Sequence, residues 1–125
     1  MLDINNILFN FQQLSGCSNE DLNRELKLVE NAAFLVESIL DESRVQEADK
    51  ERCEYAAACF AFYDHACRNA GCDNIITAAE GKVSSNDDLR HRIEAALKLK
   101  NSALEGLRGL TKDNDFLFKT MGGEG

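Results

Sequence analysis

An all-α fold, a small bundle of about four helices, is predicted by three features of this chain. Its 125 residues include no proline, while Ala, Leu, Glu and Lys, all good helix formers, are plentiful. Apolar residues recur at helical spacing over long windows, as in Leu22, Leu26, Val29, Ala33, Val36 and Leu40, which step by four and three along one face. A hydrophobic content of 44% in a chain of this length suits one domain with a real core, spanning residues 1–125.

The elements follow in order. A short helix is expected from about Ile4 to Leu14, within an N-terminal unit of about residues 1–16, with Gly16 in the C-cap role. Ser18 fits an N-cap, with Asp21 three residues on as an acidic variant of the capping box. A second helix then runs to about Leu40, and Leu28, Ala32, Leu35 and Ile39 add a second stripe beside the first. So wide an apolar face requires neighbours on more than one side. After the polar break "DESRVQEADKE", a third helix is expected from about Glu47 to Ala70, ending at Gly71.

That third helix carries "CEYAAACFAFYDHAC" and has no charge from Tyr55 to Tyr63. Tyr55, Cys59, Phe62 and Ala66 share one face, and Ala56, Ala57, Phe60 and Tyr63 lie broadly on the other. Either the helix is central to the domain, or a partner covers its second face. Residues 72–86, "CDNIITAAEGKVSSN", read as a small hairpin or ordered loop, because Ile75, Ile76 and Thr77 are β-branched and Glu80-Gly81 suits a turn. The last helix is expected from about Asp88 to Leu110, with Leu89, Ile93, Ala96, Ala103, Leu107 and Leu110 at heptad-like spacing interrupted by Lys100. An extended C-terminal tail follows, with the apolar patch Phe116-Leu117-Phe118 and a flexible end at 119–125.

Charge is unevenly distributed. The net charge is −8, but residues 1–81 hold 15 acids against 6 Lys/Arg (−9), and residues 82–125 hold 7 against 8 (+1). The overall sign disfavours sequence-specific nucleic acid as a partner, since phosphate neutralisation supplies most of such affinity. Opposite-sign halves suit a molecule that meets copies of itself head to tail. No membrane partner is expected: the longest charge-free apolar run, nine residues, is far short of the ~20 that span a bilayer. The opening "MLDINNILFNF" has an early acid, no basic n-region and no small-residue cleavage site, which predicts no secretory signal and a cytoplasmic location.

No constellation calls for a metal, a cofactor or catalysis. The five cysteines, Cys17, Cys53, Cys59, Cys67 and Cys72, are odd in number, and three share one apolar helix, so they read as reduced packing residues. His65, Cys67 and Cys72 give H-x-C and C-x₄-C, not the short paired spacing of a zinc site, and on a helix His65 and Cys67 lie about 200° apart. A cysteine nucleophile would need a neighbouring base, which only folding could bring from His65 or His91. "AEGKVSS" is no phosphate loop, and Glu20, Glu25 and Glu30 lack the Glu-x-x-His partners of a di-iron bundle.

The order of segments carries a resemblance. An N-terminal capped helix, the alanine-rich "YAAACFAFYDHA" helix, "ITAAEGKVSS", a basic helix and a closing "DNDFLFKTM" together resemble, over roughly residues 20–120, the small helical head–tail connector (adaptor) proteins of phages and prophages. "EGKVSS" departs from the family's loop in lacking an aspartate, and "DNDFLF" has an acid in place of its glycine. The resemblance implies a non-enzymatic virion structural protein. Its subunits would form a ring beneath the portal, with copies of itself, portal and tail-completion proteins as partners, cytoplasmic in the host and in the virion once assembled. The interface candidates are Tyr55, Phe62, Arg90, Arg92, Lys98, Phe116 and Phe118. The alternative is an intracellular helical adaptor or regulator that binds one protein through apolar helix faces.

Overall fold

The structure is a computed structural model that describes the backbone of residues 2–80 and 83–112, with side chains over 2–68 and 90–112. Its elements are α1 (Ile4–Ser15), α2 (Asn19–Arg24), α3 (Leu26–Ile39), a 3₁₀ turn (Glu47–Asp49), α4 (Lys50–Glu80) and α5 (Val83–Glu105). The fold is all-α. The expected tail, with Phe116, Phe118 and the 119–125 end, lies outside the described residues.

Local chemistry sets the helix ends. Asp3 caps α1 by accepting a hydrogen bond from the Asn5 amide, and Gly16 ends it at φ 72°, a left-handed conformation that glycine adopts without a Cβ clash. Ser18 Oγ accepts from the Asp21 amide at 3.2 Å, the expected N-cap of α2. The expected single helix from Ser18 to Leu40 is instead two, broken at Glu25 (φ −94°, ψ 4°). A one-residue break leaves the stepping of Leu22, Leu26 and Val29 unchanged, so apolar period alone does not reveal it.

Two boundaries also differ from expectation. α4 does not stop at Gly71 but continues as one 31-residue helix to Glu80, about 46 Å long. Helix therefore replaces the expected hairpin, occupying 72–80 and 83–86, and the connection between α4 and α5 falls at residues 81–82, outside the described residues. A mid-helix glycine costs about 1 kcal/mol, and β-branched residues a few tenths. Extending an existing helix while a second one packs along it outweighs both costs. α5 ends at Glu105 rather than Leu110, and tight turns carry the chain through Gly109 at φ 96°.

α4 is the centre of the molecule. α1 and α3 pack on it, and α5 packs on it more extensively than any other pair of helices. From Cys53 to Ala61 every residue except Tyr55 is buried. Ile7, Phe11, Leu28, Val29 and Val36 supply one layer from α1 and α3, and Leu104 and Leu107 supply part of the other. Ala56, Ala57, Ala58 and Ala61 let the neighbouring backbones approach closely. Both apolar faces of α4 are thus covered within one chain over this stretch.

The ends of the chain's path are pinned by polar contacts. The Glu54 carboxylate, 4% exposed, accepts from the Asp3 amide at 2.8 Å and from Asn6 Nδ2 at 3.1 Å. Glu37 Oε2 accepts from the Leu2 amide at 2.8 Å. Carboxylates from α3 and α4 therefore meet the positive end of the α1 dipole. After α5, Thr111 pairs antiparallel with Leu40, closing the bundle on the end of α3.

Candidate functional site

Most of the described interface candidates lie where α5 leaves its surface open. Arg90, Arg92 and Lys98 are exposed, because α5 packs extensively only on α4 and turns most of its circumference outward here. Ile93 and Ala96 face inward between them. Tyr55 is 39% exposed, and partial burial, with the nearby Cys59 thiol, pushes its hydroxyl up from its ordinary pKa. Phe62 is half-buried and packs against the core, so it offers little free surface. Phe116 and Phe118 are outside the described residues.

The register of α4 against α5 places these charges. Arg52 Nη1 donates to the Gly106 carbonyl at 3.0 Å, and Lys100 Nζ sits over the rings of Phe60 (5.0 Å) and Tyr63 (4.7 Å). The helices run antiparallel, so Arg90 and Arg92 lie level with α4 residues in the upper sixties. Exposed Glu51 opens α4 and exposed Glu47 lies in the 3₁₀ turn before it, roughly 25 Å from that level along the axis. That separation is about three Debye lengths at physiological salt, so Arg90 and Arg92 do not screen these acids; Glu47 is instead paired locally with Lys50 Nζ at 3.1 Å, and Glu51 is left exposed. Lys100 itself belongs to neither group. Its cation lies over two aromatic faces, which accounts for a lysine inside an apolar stripe.

The remaining chemistry-bearing residues are structural in their contacts. His65 is not helix-terminal, since α4 continues well beyond it. Its ring meets Phe11 edge-on at 5.5 Å, and its Nδ1 lies 3.7 Å from Glu25 Oε1, tying α4 to the break between α2 and α3. His65 and Cys17 line one open polar groove of about 380 Å³ with Asp21, Arg24 and Glu25. Among the described residues no group of three or more His, Cys, Asp or Glu side chains is placed to hold a metal ion. Cys17, Cys53, Cys59 and Cys67 are all free thiols. Burial pushes the Cys53 and Cys59 thiols up from their ordinary value of 9.0.

Sequence reasoning missed three exposed aromatic and aliphatic side chains. Phe9 on α1 is 61% exposed, and Phe34 and Leu35 on α3 are 73% and 48% exposed. Leu35 belongs to the second apolar stripe of its helix, which predicts a covered side chain. The structure turns it outward because α1 and α4 together cover only the arc through Leu28, Val29, Ala32, Ala33 and Val36. Phe34 lies off both stripes, a signal that was present in the sequence. Among the described residues no helix is long and apolar enough to cross a membrane. No family model, curated protein or solved structure matches the chain.

Proposed function

We propose that this protein is a non-enzymatic structural subunit that joins copies of itself head to tail into a ring, as a head–tail connector of phage or prophage type. Its further partners are the portal and tail-completion proteins between which such a ring sits. The observation that carries this reading is the separation of exposed charge along α4 and α5: Glu51, with Glu47 paired to Lys50 just before it, at the start of α4, Arg90 and Arg92 about 25 Å away along the axis, and Lys98 about 17 Å away. Contacts between unlike faces generate rings when the rotation closes, and opposite charges set their order and speed their formation. The resemblance of the chain to connector proteins supports the same role.

Charge reversal tests it. Arg90→Glu with Arg92→Glu removes self-association, and so does Glu47→Lys with Glu51→Lys. A mixture of the two variants recovers a heterodimer, because each retains one intact face. Association that survives either reversal, or variants that fail to complement, contradicts the reading.

A second reading, an intracellular helical adaptor or regulator, draws support from Phe9, an aromatic side chain 61% exposed on α1. It predicts that Phe9→Ser abolishes capture of one partner without changing self-association.

A further inference from the structure

We propose that the outward face of α3 around Phe34 and Leu35 is the docking site of this chain's own C-terminal segment, through Phe116-Leu117-Phe118. Phe34 is 73% exposed and Leu35 48% exposed, adjacent on a helix whose other apolar residues are largely covered. The direction of the chain points to the occupant. The Asp41 amide donates to the Leu110 carbonyl at 2.7 Å, the Lys112 amide donates to the Ile39 carbonyl at 3.0 Å, and Leu40 and Thr111 form an antiparallel bridge. Residues 110–112 therefore run against residues 39–41, and the chain leaves Lys112 heading back along α3.

The reach is sufficient. Phe116 is four residues beyond Lys112, a span of up to about 13 Å in extended form. Leu35 and Phe34 lie four and five residues before Ile39, about 6–8 Å along the helix. The order of chemistry also matches. Going backwards along α3, Leu35 and Phe34 are followed by exposed Asn31 and Glu30; going forwards along the tail, the apolar triplet is followed by Lys119. An apolar pair thus meets an apolar triplet. The segment would cover an apolar surface that the bundle leaves to water.

Nuclear Overhauser spectroscopy on the full-length chain, with methyl-labelled leucine, tests the proposal. Contacts from Leu35 methyls to the Phe116 and Phe118 rings are expected, unchanged on tenfold dilution and absent from isotope-filtered spectra of mixed labelled and unlabelled protein. Phe116→Ser with Phe118→Ser should remove them and raise the fluorescence of a hydrophobic dye several-fold. Phe34→Ser should raise it less, since it removes part of the dye surface. Contacts seen only between molecules would make a second copy the occupant, and no contacts with unchanged dye fluorescence would leave the face bare. Either result overturns the proposal.

Discussion

Replacing Phe60 by Ala probes whether α5 truly covers the second face of α4. Phe60 is 6% exposed, and Lys100 Nζ lies 5.0 Å from its ring centroid. Truncating a buried phenylalanine costs about 3–5 kcal/mol through lost transfer energy and the cavity left behind. Removing one of the two rings under Lys100 adds ~0.5–1 kcal/mol. A total of about 4 kcal/mol is a large part of the roughly 5–15 kcal/mol that holds a domain together, and at this chain length it lowers Tm by about 15 °C. Phe9→Ala serves as the control: at 61% exposure it should cost about 1 kcal/mol or less. Thermal and urea melts followed by far-ultraviolet circular dichroism give both numbers. If Phe60→Ala melts within a few degrees of wild type, or no lower than Phe9→Ala, then α5 does not pack on α4 as described.

Two further changes test other joints of the fold. Glu54→Ala removes the acceptor for the Asp3 amide and Asn6 Nδ2, and should cost about 2 kcal/mol, with α1 amides exchanging faster than those of α4 by hydrogen exchange. An unchanged urea midpoint would show that the clamp contributes nothing. Burial raises the Cys53 and Cys59 thiols above 9.0 in the folded chain, so their contribution to stability is full below pH 9 and is lost as pH rises beyond it. Native protein at pH 8 should accordingly modify Cys17 and Cys67 with a thiol reagent well before Cys53 and Cys59. Equal rates at all four, read by mass spectrometry, would contradict the burial of α4.

Much of the architecture was legible in the residues, and the failures have physical causes. Gly16 and Ser18 act through their own backbone and hydroxyl, so the stop of α1 and the start of α2 could be read directly. The charge-free stretch from Tyr55 to Tyr63 announced a helix needing cover on both sides, and α1, α3 and α5 supply it. Gly71 misled because its cost as a helix breaker is small beside the gain from extending α4 along α5. The break at Glu25 was silent because apolar spacing carries through it. The outward turn of Leu35 depends on how much of α3 its neighbours cover, which is a property of packing and not of period. At the candidate surface, Arg90, Arg92 and Lys98 are exposed and Phe62 is mostly covered, a difference that follows from α5 packing on one helix and α4 on three.

Exposed opposite charges at the start of α4 and on α5 are proposed to join copies of this chain head to tail. Multi-angle light scattering of the purified protein, taken from micromolar to millimolar concentration at 20 mM and 500 mM salt, tests it most directly. Growth beyond dimer at low salt, reversed at high salt and absent in Arg90→Glu with Arg92→Glu, is the predicted result. A mass that stays at one chain across the whole range at low salt, or assemblies indifferent to salt, would contradict it.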